Sequence, residues 1–223
     1  MRVSEAVAQR RSVRAYTDEA VDEDVLRDLL AAASRAPSGG NLQPWQVIAV
    51  AGDAKEAASQ AGLAAIAANP GGEDDEAPVY PAQLSNVMKA RRRKVGEDMY
   101  ALLGIPKEDR AARMGWLATN FAFFGAPVGL FFVVERSMGR GQWAHLGMFM
   151  QTIALLATER GLGTCMQEAW GMVRKTMHGH LNLAPDEMLY CGMALGHPDA
   201  AAPVNALVTE REPLDGFATL RGF

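Results

Sequence analysis

The chain has 223 residues, a formal net charge of −4 and an apolar fraction of 49%. These values are typical of a globular protein with one large core, and the acidic balance gives no reason to expect a nucleic-acid partner. The most apolar run, residues 121–134, is too short to cross a bilayer and is interrupted by Gly125 and Pro127, so no membrane partner is expected. Cys165 and Cys191 have neither metal-ligand nor disulfide spacing and no secretory leader is recognised, which predicts a reduced, cytoplasmic protein.

The pattern of apolar residues predicts helices that alternate with short strands. The first element is a short amphipathic stretch in which Val3, Ala6 and Val7 share one helical face. Helices are then predicted over residues 22–35, 54–68, 83–103, 108–124 and 143–160, and strands over residues 45–50, 127–134 and 189–195. This alternation is typical of a layered α/β or α+β fold, and the spacing does not choose between them.

Three stretches add to this pattern. Residues 69–81 carry prolines, glycines and a run of acidic residues, which predicts a surface loop rather than a linker between domains. The helix over 143–160 is apolar on nearly every face, so we expect it to be buried on nearly every side, as a central helix or at a subunit interface. The tail over residues 205–223 has little periodicity of its own.

The segment Arg10–Arg14 places three arginines and one serine within five residues. Such a cluster suits one phosphate, because guanidinium groups supply charge-assisted hydrogen bonds while the Ser12 hydroxyl and backbone N–H groups reach the remaining oxygens. An arginine-rich pentapeptide can also be no more than solvated surface. We call this segment the phosphate clamp.

About one helix later, the segment Pro37–Asn41 contains no side chain larger than asparagine. Backbone built from such small residues can approach a flat ligand closely, although the same composition is typical of an ordinary loop. We call this segment the cradle. A phosphate clamp followed by a small-residue cradle predicts a phosphorylated, planar cofactor.

Together, the clamp and the cradle resemble the signature motifs of the nitroreductase family of FMN-dependent oxidoreductases. That family carries an Arg-Arg-Ser-x-Arg phosphate motif and, about one helix later, a Pro-Ser-x-x-Asn-x-Gln-Pro-Trp motif. The matching positions here are Arg10, Arg11, Ser12, Arg14, Pro37, Ser38, Asn41, Gln43, Pro44 and Trp45. The resemblance implies FMN as the cofactor, with its phosphate held by the clamp residues.

The resemblance also implies an α+β sandwich in which a central mixed or antiparallel sheet is flanked by helices. Residues 1–223 are then a single domain with a lid-like insertion around residues 66–105. Two copies intertwine as a homodimer, and the extension 205–223 wraps onto the partner. The cradle residues that approach the flavin from the other subunit are Pro37, Ser38, Gly39 and Asn41.

A third match to the family runs from Gly161 to Trp170. The resemblance implies that the residues alongside the flavin ring are Met166, Gln167, Glu168 and Ala169. A backbone N–H, assigned here to Glu168, would face flavin N5, where a donor stabilises and orients the reduced ring. No side chain is assigned a catalytic role, because the flavin supplies the chemistry.

Two further cation positions follow from the resemblance. Arg211 stands where the family supplies a late cation to the FMN phosphate, whereas Thr209 stands where some relatives have a second cation. Residues 89–94 contain five cations. Within that run, Arg92 is the candidate for a cation near flavin N1, with Arg91 as the alternative.

The activity implied by the resemblance is reduction of nitroaromatics, quinones or similar small acceptors by NAD(P)H and FMN, in a ping-pong mechanism. No Gly-x-Gly-x-x-Gly motif follows a predicted strand, which fits one site shared by both substrates. The four histidines have no ligand spacing, so no metal is expected. Reductive dehalogenation, ene-type reduction and flavin binding without turnover stay open, as do the choice between NADH and NADPH and the physiological acceptor.

Overall fold

The computed structural model describes residues 1–73 and 76–223. At the centre of this part of the chain lies a sheet of four strands, namely β1 (Gln46–Ala51), β2 (Val128–Glu135), β3 (Gly163–Gln167) and β4 (Glu187–Gly196). They lie in the order β1-β2-β4-β3, and each neighbouring pair is antiparallel. The predicted α+β fold with a central antiparallel sheet is confirmed.

Helices cover both faces of this sheet. They are α1 (Val3–Gln9), α2 (Glu23–Ala33), α3 (Gly52–Ala68), α4 (Asn86–Leu102), α5 (Arg110–Ala118), α6 (Arg140–Glu159) and α7 (Arg174–His180). Successive side chains of a strand point to opposite faces. Leu130 and Phe132 of β2 therefore pack with α2 and α6, whereas Phe131 between them packs with α3 and α7.

Helix α6 lies where the sequence predicts a helix, but its burial differs from the prediction. Leu146, Phe149 and Ile153 are buried against the sheet, whereas Met148 on another face is 45% exposed. The predicted burial on nearly every side is therefore not met within one chain. The reason is that the outer face of α6 has no neighbouring element to cover it in the described part of a single copy.

The predicted helix over residues 108–124 is wrong beyond residue 118. The chain turns through a 3₁₀ segment, and Phe123 and Phe124 adopt left-handed backbone conformations with φ of 51° and 54°. This turn seats the Phe123 ring 4.9 Å from that of Trp170, over Gly129, where a Cβ atom would lie 2.4 Å from the Phe123 ring. Burial of these rings outweighs the backbone strain that the sequence pattern does not reveal.

The predicted loop over residues 69–81 has neither helix nor strand in its described residues, while Asp74 and Asp75 of that prediction lie outside them. The loop is fixed to the body of the protein at Glu73. Its carboxylate accepts hydrogen bonds from the backbone N–H of Thr176 (2.9 Å) and from the Thr176 hydroxyl (2.5 Å), at the start of α7.

Helices α4 and α5 form a helical pair, which we call the excursion, and Trp116 of α5 packs against the core beside Phe124. Helix α4 begins later than predicted, because the Ser85 hydroxyl caps it by accepting a hydrogen bond from the Met88 backbone N–H at 3.3 Å. Tyr100 is the only buried residue of α4 in the described chain. Arg113 of α5 joins the two helices by two hydrogen bonds of 2.8 Å to Glu97.

The tail after Leu207 leaves the domain without forming a strand or an α-helix in the described chain. Its large apolar side chains face outward, with Phe217 70% and Leu220 68% exposed. This conformation agrees with the lack of periodicity in the sequence of residues 205–223. That it wraps onto a partner, and that residues 66–105 act as a lid, stay predictions.

Candidate functional site

The clamp, the end of β3 and the tail meet around one cavity of about 430 Å³, which we call the clamp cavity. Its lining residues are Val7, Arg10, Ser12, Gln151, Thr164, Met166 and Arg211. Four of these were predicted site residues from three separate segments of the sequence: Arg10, Ser12, Met166 and Arg211. The fold therefore brings together the phosphate clamp, the segment from Gly161 to Trp170 and the late cation Arg211.

A glycine in β3 explains how the clamp reaches this position. The backbone N–H of Val13 donates to the carbonyl of Thr164 at 2.9 Å, and Ser12 forms a parallel β-bridge with Thr164. A Cβ atom at Gly163 would lie 2.6 Å from a Val13 methyl group. Only glycine permits this approach, so the clamp lies against the sheet edge as a short extra strand.

The charges at the clamp cavity favour an anion. The backbone N–H of Arg10 donates to the carbonyl of Ala6 at 2.9 Å, whereas its guanidinium has no hydrogen-bond or carboxylate partner among the described residues. The Arg211 guanidinium donates to the backbone oxygens of Thr209 (3.1 Å) and Glu210 (2.9 Å) without pairing to a carboxylate in this part of the chain. Two guanidinium groups and the Ser12 hydroxyl thus converge, and none of the seven residues that line the cavity is acidic.

The other two arginines of the clamp do not line the cavity in the described chain, although the Arg14 guanidinium donates to the carbonyl of Ser12 at 3.3 Å. Arg11 donates through its side chain to the carbonyl oxygen of Asn205 at 3.1 Å, and the backbone N–H of Arg14 donates to the Asn205 side chain at 2.8 Å. Asn205 is 8% exposed. In this conformation Arg11 and Arg14 fix the base of the tail, and their predicted contact with a phosphate stays a prediction.

The residues predicted to flank a flavin ring follow at the end of β3. Met166 is 39% exposed and faces the clamp cavity, whereas Gln167 is 1% exposed and donates to the carbonyl of Asn120 at 2.7 Å. Burial raises the pKa of the Glu168 carboxyl above its usual value. Glu168 and Ala169 begin a 3₁₀ turn that Trp170 anchors in the core.

Two ionisable groups lie behind the clamp cavity. Burial raises the pKa of the Tyr16 phenol and that of the Cys165 thiol. The Tyr16 hydroxyl donates to the carbonyl of Val13 at 2.9 Å, so it supports the clamp strand from behind. These two residues therefore belong to the structural support of the site and stay uncharged at neutral pH.

The cradle lies apart from the clamp cavity in one chain. Gly40 and Asn41 adopt left-handed conformations with φ of 60° and 53°, and the Ser38 hydroxyl accepts from the Gln43 backbone N–H at 3.0 Å. The Gly39 backbone N–H donates to Nε2 of His145 on α6 at 3.3 Å. None of the predicted cradle residues lines the clamp cavity in the described chain, so their contact with a flavin in the partner subunit's site stays a prediction.

A second cavity, of about 660 Å³, lies between α4 and the tail and shares Arg211 with the clamp cavity. We call it the outer cavity. Arg92, predicted to face flavin N1, lines this cavity and stacks over the Tyr80 ring at 4.2 Å. Arg91, the preceding residue of α4, also lines the outer cavity and forms an ion pair with Glu212 of the tail.

Sequence reasoning missed several residues of these cavities. Gln151 carries no motif, and only its position on α6 reveals it. Thr164 lies within the match from Gly161 to Trp170 but was assigned no role there. Tyr80 lies in a loop whose composition predicts nothing more than exposed chain. Among the helices of the described residues, none combines the length and the hydropathy that crossing a membrane requires.

A sequence profile of the Nitroreductase family matches residues 7–197. The 4-nitrobenzoate reductase of Pseudomonas putida is 37% identical over 97% of this chain and 94% of that protein. The nitrobenzene nitroreductase of Ectopseudomonas oleovorans is 34% identical over 97% of this chain and 96% of that protein. Both relatives match nearly the full length of the chain.

Solved structures agree with these relatives. The FMN and NADPH-dependent nitroreductase NfnB from Sphigopyxis sp. strain HMH is 44% identical and has a TM-score of 0.97, with all of both chains covered. The FMN-dependent nitroreductase NfnB from Mycobacterium smegmatis, solved in complex with NADPH, is 25% identical and has a TM-score of 0.91 over 99% of this chain and 100% of that one. The predicted family is confirmed, and the chain belongs to the nitroreductase family.

Proposed function

We propose that this protein reduces nitroaromatic compounds with electrons from NADPH, and that the clamp cavity holds the phosphate of its FMN. The predicted enzyme class, an FMN-dependent NAD(P)H oxidoreductase, is confirmed by the family and by the FMN-dependent neighbours. The binding of the FMN phosphate is supported by the convergence of Arg10, Ser12 and Arg211 on the clamp cavity. Among the described residues, no carboxylate lines this cavity. NADPH is chosen because two similar solved structures are described with it.

The residues present fit FMN. The two guanidinium groups and the hydroxyl supply the charge-assisted donors that a phosphate dianion needs, and Thr164 adds a second hydroxyl to the lining. The Met166 side chain lies on the same cavity, which supports the assignment of the chain that follows it to the flank of the ring. Bound FMN supplies the acceptance and release of hydride, and the protein supplies binding, orientation and electrostatics.

The packing of the turn that follows β3 fixes the orientation of its backbone groups. The 3₁₀ turn that begins at Glu168 is anchored by Trp170, whose ring lies 5.3 Å from that of Phe121 in the core. A main-chain donor of Glu168 in that turn is therefore fixed without help from solvent, as a group that has to face one atom of a ring requires. The Glu168 carboxyl, with its raised pKa, is not needed as a charged group in this role.

The acceptor that the relatives favour is a nitro group on an aromatic ring, since those reported above are named for nitrobenzoate and nitrobenzene. We infer that NADPH and the acceptor bind one after the other at the same site. Initial rates at several acceptor concentrations should then give parallel double-reciprocal lines against NADPH. Intersecting lines would contradict a shared site. Turnover of a quinone, an enone or an aryl halide but not of 4-nitrobenzoate would contradict the proposed acceptor class.

We also infer that the working unit is a homodimer. The cradle lies away from the clamp cavity, α6 leaves Met148 exposed, and the tail exposes Phe217 and Phe223. A second copy that covers α6 and receives the tail would bury these groups and bring a cradle to each clamp cavity. Sedimentation should show a dimer at micromolar concentration, and deletion of residues 206–223 should reduce both dimer and bound FMN. A folded, FMN-loaded monomer would contradict this inference.

A further inference from the structure

Two cations of the outer cavity have no carboxylate partner in the described chain: Arg211, which also lines the clamp cavity, and Arg92, which does not. Four cations line it, namely Arg91, Arg92, Lys94 and Arg211. Two of these are engaged with carboxylates: Arg91 with Glu212, and Lys94 with Asp98 at 2.8 Å and with Glu210 at 3.4 Å. Arg92 has no carboxylate partner among the described residues.

The geometry around Arg92 is that of a prepared binding group. Its guanidinium stacks on the Tyr80 ring at 4.2 Å, which holds the plane of the group by a cation–π contact and leaves its N–H edges to a ligand. The aromatic ring and the stems of the long α4 side chains give the cavity apolar walls beside these donors. A planar heterocycle that carries a phosphate suits such walls, and a volume of about 660 Å³ is in the range of small-ligand sites.

The position of the outer cavity identifies which end of a dinucleotide it can take. Arg211 lines both cavities, so the outer cavity adjoins the clamp cavity on the side of the FMN phosphate rather than at Met166, where the ring would lie. The nicotinamide has to reach the ring, and the adenosine end of the same molecule then extends outward. The excursion and the tail together form the surface on which that end can rest.

We propose that Arg92, stacked on Tyr80, binds the 2′-phosphate of the adenosine half of NADPH in the outer cavity and so selects NADPH over NADH. This proposal rests on the proposed function, because it assigns a specificity role within that reaction. It differs from the predicted position of Arg92 at flavin N1. A cation at N1 acts on both nicotinamide cofactors alike, whereas a cation at the 2′-phosphate acts on NADPH alone.

Direct binding to the FMN-loaded protein tests the subsite without turnover. The probes are adenosine 2′-monophosphate and adenosine 5′-monophosphate, titrated by calorimetry. The wild-type protein should prefer the 2′-isomer, and Arg92→Gln should lose about tenfold of its affinity for that isomer, as expected for one charge-assisted contact at a solvent-exposed site. Arg93→Gln is the matched control, because Arg93 is the next residue of α4 and does not line the cavity.

Kinetics complete the test. The ratio of kcat/KM for NADPH to that for NADH should fall about tenfold in Arg92→Gln and stay at the wild-type value in Arg93→Gln. Equal binding of the 2′-isomer by wild-type and Arg92→Gln proteins would overturn the proposal, as would an equal loss with both cofactors. A raised KM for 4-nitrobenzoate with an unchanged cofactor ratio would overturn it in favour of an anionic acceptor. A protein that oxidises neither cofactor but binds the 2′-isomer through Arg92 would refute the proposed function and support the subsite.

Discussion

The clamp and the excursion are built in opposite ways. The clamp rests on buried chain, with Val13 and Thr164 each 4% exposed, and it is fixed by a backbone hydrogen bond to β3. The excursion rests on exposed chain, and its contacts with the tail are ion pairs at the surface, such as Lys94 with Glu210. The first region is fixed by packing, whereas the ion pairs between α4 and the tail contribute about 0–1 kcal/mol each.

This difference indicates a division of labour. A cofactor that stays bound through many turnovers needs donors fixed by the core, as Arg10 and Ser12 are at the sheet edge. A substrate that enters and leaves needs a surface that can adjust, and α4 with the tail has that character. The clamp should therefore respond to mutation through cofactor affinity and fold stability, and the excursion through substrate selectivity.

The largest effect should come from removing the anchor of the rigid region. Trp170 is 0% exposed, and its ring lies 4.9 Å from the rings of both Phe123 and Phe131. Trp170→Ala should lower the free energy of unfolding by about 3–5 kcal/mol, because it removes a large buried ring and leaves a cavity. Chemical denaturation measures this change. Tyr80→Ala, which removes a half-exposed ring beside the excursion, should change it by less than about 0.5 kcal/mol. Equal losses in the two variants would contradict the difference between the two regions.

The next effect separates two neighbouring arginines. Arg10→Ala should weaken FMN binding by about 1.5–3 kcal/mol, which is roughly 10- to 100-fold, because it removes a charge-assisted contact at the clamp cavity. Arg11→Ala should weaken it by less than about threefold, since Arg11 donates to Asn205 instead. The dissociation constant, measured by flavin fluorescence on dilution, checks both variants. Equal effects would show that the two side chains share the phosphate in the holoprotein.

The smallest effect concerns the pair that joins the two helices of the excursion. Hydrogen bonds from Arg113 lower the pKa of the Glu97 carboxyl below its usual value. A lowered folded-state pKa stabilises the fold above the unfolded-state value, and this stabilisation is lost as pH falls through the folded-state value. Glu97→Gln should therefore lower Tm slightly at pH 7, with a difference from wild type that shrinks below about pH 4.

The control for this pH series is Asp28→Asn, since Asp28 lies on the surface of α2 and makes no side-chain hydrogen bond or ion pair in the described chain. Its Tm should follow that of the wild-type protein at every pH. A Glu97→Gln difference that stays constant from pH 7 to acid would contradict the assigned ion pair. Such a result would attribute the effect to packing of the side chain rather than to its charge.

Much of the fold could be predicted from the sequence, because its signals are local. Strong apolar runs bounded by glycine and proline placed β1, β2 and β4, and helical periodicity placed α2, α3 and α6 within a few residues. The 3₁₀ turn at residues 119–125 could not be predicted, since nothing before Gly125 in that segment breaks a helix. The packing of Phe123 over Gly129 decides its conformation, and that contact exists only in the tertiary structure.

The candidate site shows the same limit. The clamp residues Arg10 and Ser12 were recognisable because their residue types match a chemical need at motif spacing, whereas the late cation Arg211 was assigned only through the resemblance to the family. The different direction of the Arg11 side chain was not recognisable, because the arginines of the clamp are equivalent in sequence. Its direction depends on Asn205, a buried residue nearly two hundred positions away.

The most direct test of the central claim is an anaerobic absorbance titration of the purified protein. The protein should carry FMN, its yellow flavin absorbance should bleach on addition of NADPH, and the absorbance should return on addition of 4-nitrobenzoate. A protein that stays colourless after incubation with FMN, or whose bound flavin is bleached by neither NADPH nor NADH, would contradict the proposed function.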